Sequence, residues 1–216
     1  MSRRARTFLA LLTAVMLGAP AFAGPLLVCH PYDIGAAKSL PWNENDVWND
    51  TRPNYELSHL VVDTEALLTP ATPVVVRMET LRRAAIYASH DRAIAMQLLD
   101  HLNARVERSR QNGRADALAL LDAGYTRATF RQIALLVYDR AFRIRAANVT
   151  NLPGLDEAPS MLQDAVAQHP DNPGLQFAGA LVASIRRDAG YDQYAHGARV
   201  AAHLDDLVER NLALLR

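Results

Sequence analysis

The tetrapeptide Asp122-Ala123-Gly124-Tyr125 returns sixty-six residues later as Asp188-Ala189-Gly190-Tyr191. Each copy follows an apolar run, with Ala117, Leu118, Leu120 and Leu121 before the first and Leu181, Val182 and Ile185 before the second. Each precedes another run with helical spacing, so a glycine at the junction reads as a tight turn between two helices. A fainter copy lies thirty-five residues before the first. There Arg92-Ala93 matches Arg127-Ala128, Gln97 matches Gln132, and Ile86 and Leu98 match Leu121 and Ile133. Periods of about 33–35 residues belong to arrays of helical hairpins, in which each unit buries its apolar face against its neighbours. The expected fold is therefore all-α, a short α-solenoid of about three to four helical hairpins. Gly124 and Gly190 should then occupy equivalent inter-helix turns, at positive φ or at a close helix approach.

Two stretches resemble tetratricopeptide repeats. Gly124-Tyr125-Thr126-Arg127-Ala128 is similar to the Gly, aromatic, Ala run at a repeat's inner turn, and His169-Pro170-Asp171-Asn172-Pro173 resembles the link between units. The resemblance covers residues 74–216. It lacks the Trp and Leu-Gly of the first helix and has one residue fewer between Gly and Ala. It implies a module that binds a protein or peptide along a concave face.

Residues 1–23 have the pattern of a secretory signal peptide: Arg3, Arg4 and Arg6, then an apolar core from Phe8 to Leu17, then Ala21-Phe22-Ala23 at a small-x-small cleavage site. That core is shorter than the ~20 residues a membrane-spanning helix needs. The expectation is a periplasmic or secreted protein with no membrane span. Residues 24–52 form a second region rich in Pro and Trp, holding the only cysteine, Cys29, the only lysine, Lys38, and both tryptophans, Trp42 and Trp48. Its prolines keep any helix short, and its apolar content is too high for a disordered tail. It reads as an ordered arm packed on the helical domain, residues 53–216.

Within that domain the spacing predicts helices over 55–68, from Thr72-Pro73 to about Ala88, and from Asp91 to Gln111-Asn112-Gly113. It predicts a fourth over 115–123 and a fifth from Thr126 to about Ala147, with Phe130, Ile133, Val137, Phe142 and Ile144 on its apolar ridge. A loop over 148–159 follows, then a short helix over 160–168. Asn172-Pro173 starts the next, which runs to Asp188, and the last spans 191–215.

The chain carries 23 basic and 23 acidic residues, and residues 1–23 contribute three of the arginines and no acid, leaving a mature balance of −3. That argues against nucleic acid as a partner. The charge is segregated: residues 77–145 hold thirteen Arg against seven acids, while 24–76 hold two basic residues against seven acids. Guanidinium groups suit carboxylate and phosphate partners, although arginines spread over solvated helix faces would give the same count. The arm should pack back on this Arg-rich stretch through Trp42 or Trp48, the rings supplying most of the energy.

No phosphate loop, nucleophile elbow or two-His zinc motif is present, and nothing calls for a cofactor. The concentrated chemistry is Cys29-His30-Pro31-Tyr32-Asp33, followed by Lys38 and Trp42. Packing of a buried Cys29 accounts for it most simply. A thiol, an imidazole and a carboxylate at Cys29, His30 and Asp33 are also the start of a metal site or of a hydrolase-type Cys-His pair. The first reading is a non-catalytic module for a protein or peptide partner, with Cys29, His30, Asp33, Lys38, Trp42, Arg127 and Arg131 as candidate contacts. The alternative is a small metal-binding protein or enzyme.

Overall fold

A computed structural model describes residues 26–43, 48–140, 142–185, 188 and 190–215, so the expected signal peptide lies outside the described residues. The described chain is all-helical, with packed helices and no strand. Its ten α-helices are α1 (Leu26–Cys29), α2 (Leu60–Leu67), α3 (Val74–Ala88), α4 (Arg92–Gln111), α5 (Ala117–Leu135), α6 (Arg143–Val149), α7 (Ala158–Gln168), α8 (Pro173–Ser184), α9 (Tyr191–Ala201) and α10 (Asp206–Asn211).

Local chemistry sets most of these boundaries. Asp91, Asp116, Asn172 and Asp205 cap α4, α5, α8 and α10 by accepting from backbone N–H groups one turn in. Pro173 sits in the first turn of α8, where its missing N–H costs nothing. His169 to Asn172 link α7 to α8 as the sequence implied. Asn112 and Gly113, at φ +119°, end α4.

The turn expected at Asp122–Tyr125 does not exist. Gly124 lies in the middle of α5, which runs unbroken from Ala117 to Leu135, and Gly190 stands at the start of α9 with φ −74°. The two sites are not equivalent, so the duplicated tetrapeptide does not mark a structural repeat. Gly124 is small for a packing reason: a Cβ there would lie 2.5 Å from Leu162 Cδ2 and 3.0 Å from Met161 Cβ, both on α7. The glycine admits close approach of α7, which offsets the ~1 kcal/mol that glycine costs within a helix.

Two more boundaries differ from expectation. The fifth predicted helix breaks after Leu135 into a 3₁₀ turn over Leu136–Tyr138 before α6, which shifts the helical phase. Phe130, Ile133 and Phe142 stay buried, while Val137 and Ile144 turn outward. The last predicted helix breaks at Asp205, whose carboxylate starts α10.

The core is organised on α3 and α5. Helix α5 packs against α3, α4, α6, α7 and α8, and α3 packs against α1, α2, α4, α5 and α8. Helix α3 is buried nearly all round, including Arg77, Glu79, Thr80 and Arg82, each 0 % exposed. Buried charges persist only when paired and hydrogen-bonded. Arg82 donates from Nε and Nη2 to Glu79 at 2.7 and 2.8 Å, and Arg83 adds a bond of 2.7 Å to the same carboxylate.

The remaining donors are answered by the arm. Arg82 Nη1 donates to the carbonyls of Val28 and Trp48, both at 2.9 Å, and Arg83 Nη1 to that of Leu40 at 2.7 Å. Tyr32 N–H in turn donates to Glu79 at 3.1 Å. Trp42 lies edge-on to Tyr87 with Arg82 and Arg83 over its ring at 5.1 and 5.5 Å, and Trp48 stacks on Phe142 at 4.9 Å. The arm thus packs on the Arg-rich helices through both tryptophans. Its Asp33 also exchanges backbone hydrogen bonds with the Asn211 side chain of α10, tying the arm to the far end of the chain.

Two stability effects follow. Gly124→Ala should destabilise by ~1–3 kcal/mol, the cost of forcing side chains into a filled core. Gly190→Ala should cost less, because it meets only the Tyr194 ring, at 3.0 Å; thermal denaturation of the two variants checks the order. Glu79→Gln leaves Arg82 buried without its counter-charge and should cost ~3–5 kcal/mol. Burial pushes the Glu79 carboxyl up, but the Arg82 and Arg83 charges and hydrogen bonds outweigh it and hold it below its ordinary value. A depressed folded pKa means that this stabilisation is whole above the unfolded value of ~4.3 and is lost as pH falls through the folded one. Acid titration of unfolding should therefore show wild type losing part of its advantage over Glu79→Gln below about pH 4.

Candidate functional site

The residues singled out in the arm do not converge on one centre. Cys29 ends α1 half-buried, and burial pushes its thiol up to about 11, with Arg82 opposing and Asp139 adding to the shift. A thiol so protonated is a poor nucleophile and metal ligand at neutral pH. Asp33 is exposed; its carboxylate accepts from Gly35 N–H at 2.9 Å and lies 4.0 Å from Arg210. His30 is partly buried beside Cys29, and Lys38 is exposed. Among the described residues no group of three or more His, Cys, Asp or Glu side chains is placed to share a metal ion. Trp42 serves the arm's packing on α3.

Arg127 and Arg131 are on the surface that carries the larger clefts. Arg127 projects from α5 and is only 4 % exposed. Its Nε donates to Gly154 O at 3.0 Å, Nη1 to Ala123 O at 3.2 Å and Nη2 to Asn103 Oδ1 at 2.5 Å, with Glu157 at 3.7 Å. Burial lowers its pKa and Glu157 partly restores it. One turn on, Arg131 pairs with Asp156. The two arginines thereby hold the segment 153–157 as a ridge, with Gly154 in the left-handed region at φ +69°, where its Cβ position would meet Arg127 Nε at 3.2 Å.

A cleft opens on each side of this ridge. One, of about 590 Å³, lies between α4 and α7, with Val106 and Met161 among charged and polar groups that include Arg110, Glu107, Asp164 and Asn103. The other, of about 440 Å³, has an apolar wall of Ala134, Leu135, Leu152 and Leu155. Gly154 and Glu157 line both.

Leu135, which lines the second cleft, is 63 % exposed, and Val137, Tyr138 and Ile144 follow it in the chain at 41, 93 and 77 %. Sequence reasoning missed Tyr138, Glu157 and Asp164, because the phase shift after Leu135 and the fold of 153–157 decide their exposure. The one sequence signal was Pro153-Gly154, which marks the turn of the ridge.

Cys29 should react slowly with a thiol reagent at pH 7–8 in the native protein and rapidly once denaturant is added; stopped-flow labelling with and without urea measures the ratio. Rapid stoichiometric labelling of native protein would be incompatible with the burial described. No protein-family model matches this chain, and no curated protein or solved structure matches it significantly.

Proposed function

We infer that this chain is a partner-binding helical module, periplasmic or released after loss of residues 1–23, that takes a protein or peptide segment and performs no catalysis. The observation that carries the reading is a run of exposed apolar side chains close in sequence, Leu135, Val137, Tyr138 and Ile144, of which Leu135 lines the cleft beside Arg131. Exposed apolar side chains that gather into one patch mark interaction sites, whereas single ones do not. Tyrosine, with a large apolar ring and a polar tip, is a typical interface anchor. The ridge fixed by Arg127 and Arg131 gives the surface a preset shape, so binding need not order it first. The α7–link–α8 hairpin is the part in keeping with a tetratricopeptide-like helical array, and we assign no role to the duplicated tetrapeptide.

Site-specific photocrosslinking tests the reading. A photoreactive residue in place of Tyr138 should give a discrete adduct in cell-envelope or culture-supernatant extract, diminished by Leu135→Asp or Ile144→Asp. The same residue in place of the exposed Asp192 on α9 should not. No adduct from position 138, or the same adducts from both positions, would remove the reading.

A further inference from the structure

In the clefts on either side of the ridge the arginines are tied to the protein: Arg127 to Asn103 and Gly154, Arg110 to Glu107, and Arg131 to Asp156. In a smaller cleft of about 220 Å³ at His90, Tyr55 is tied to Asp63 and Tyr87 to the carbonyl of Pro41. A further cleft, of about 300 Å³, lies where α8 meets α7 and α9. Its polar side chains are Gln163 of α7, Asp188 in the link after α8, and Gln193 and Tyr194 of α9. Among the described residues none of these four side chains has a hydrogen-bond or ion-pair partner. Asp188 and Tyr194 are partly buried, and a polar group withdrawn from water is ordinarily paired.

The rest of the lining is apolar: Pro159, Leu162, Val182 and Ala183, with Gly179 and Gly190. The two glycines seat the Tyr194 ring. A Cβ at 179 would lie 3.2 Å from Tyr194 Cδ2, and one at 190 would lie 3.0 Å from Tyr194 Cε2. The ring is thus held against two backbones before any ligand arrives, so binding need not order it.

Asp188 is the only charged group among the described lining residues, so an anionic ligand is repelled. Its carboxylate only accepts, whereas the Gln163 and Gln193 amides and the Tyr194 hydroxyl both donate and accept. Burial pushes the Tyr194 phenol above its ordinary value, so it stays neutral. An organic cation supplies donors alone and would leave both amide NH₂ groups unmet. A ring of neighbouring hydroxyls meets all four side chains, since each hydroxyl donates once and accepts twice. Its C–H face suits the Tyr194 ring and the apolar lining.

We propose that this cleft binds a pyranose sugar ring, with Asp188, Gln163 and Gln193 as partners of its hydroxyls and the Tyr194 ring as one wall. Its volume is at the lower end of the ~300–1,000 Å³ of small-molecule sites, which suits one ring. The inference goes beyond the partner-binding reading and survives its failure.

Saturation-transfer NMR and calorimetry on the purified protein test it with D-glucose, D-galactose and N-acetyl-D-glucosamine, each beside its methyl glycoside, and with cadaverine as an organic cation. Saturable binding of at least one sugar and none of cadaverine is expected. A methyl glycoside bound as well as its sugar points to a ring at the end of a chain, and one that fails to bind points to a free sugar. Asp188→Asn, which keeps the shape and removes the charge, should weaken binding by about tenfold or more, the loss expected for one hydrogen bond to a charged group. Gln193→Ala provides a second reading should Asp188→Asn fail to fold, and should weaken binding in the same sense. Asp192→Asn, exposed and outside the cleft, should leave it unchanged. No saturable binding of any of the three sugars, binding unaltered in both site variants, an equal loss in Asp192→Asn, or cadaverine bound more tightly than every sugar would overturn the site.

Discussion

The ion pair between Glu79 and Arg82 is the constraint on which the rest of the molecule depends. Two fully buried charges three residues apart on one helix neutralise each other, but a guanidinium has five donors and one carboxylate cannot meet them all. Arg82 therefore needs carbonyls from outside α3, and it finds them at Val28 and Trp48. Glu79 accepts from Tyr32 N–H as well. The arm and α3 are thus one polar network, and removing either would leave the other with buried groups unsatisfied. This explains how the described part of the arm is held with so little regular structure of its own: its carbonyls accept the hydrogen bonds that the Glu79 carboxylate cannot.

Asp122 plays a comparable part on the other side of α3. It is fully buried on α5 and accepts from Arg77 Nε and Nη2 at 2.9 and 2.5 Å and from Arg105 Nη1 at 2.9 Å. Arg77 extends the link to the carbonyls of Leu68 and Thr69, just after α2. One carboxylate thereby joins α3, α4 and α5 and the chain end of α2. Between the two networks lies the Tyr32–Tyr125 hydroxyl pair at 2.7 Å, with Phe177 of α8 edge-on to Tyr32 at 6.1 Å. Polar bonds of fixed geometry fix the register of helices that apolar packing alone would leave free to slide.

Much of the helical content was legible in the residues, because caps and breakers act locally. Thr72-Pro73, Asp91, Asn112-Gly113 and Asn172-Pro173 each delimit a helix as expected. What failed was inference across space. Gly124 has the same local sequence as Gly190, yet one faces α7 at a distance only glycine tolerates and the other begins a helix, and sequence cannot say which neighbour arrives. The arginine excess of residues 77–145 was equally readable as solvated helix faces. Arg77 and Arg82 are instead interior, since a charge periodic with the apolar residues reports burial only once its partner is known. The arm's attachment through its tryptophans was visible because indole burial dominates any local preference. The ridge at 153–157 was not, because two arginines distant in sequence shape it.

The arginines of this fold differ in what their burial accomplishes. Arg82 and Arg127 are almost wholly buried, and four of the five N–H donors of the first and three of the second meet acceptors within the fold. A side chain in that state can shape a surface, as Arg127 does through Gly154 and Glu157. Arg145, partly buried on α6, lies with its guanidinium over the Phe142 ring at 4.8 Å, and burial lowers its pKa. The same residue type thus serves as an interior tie on α3 and as a shaper of the surface on α5, a difference decided by which acceptors the fold brings to it and not by the residue count.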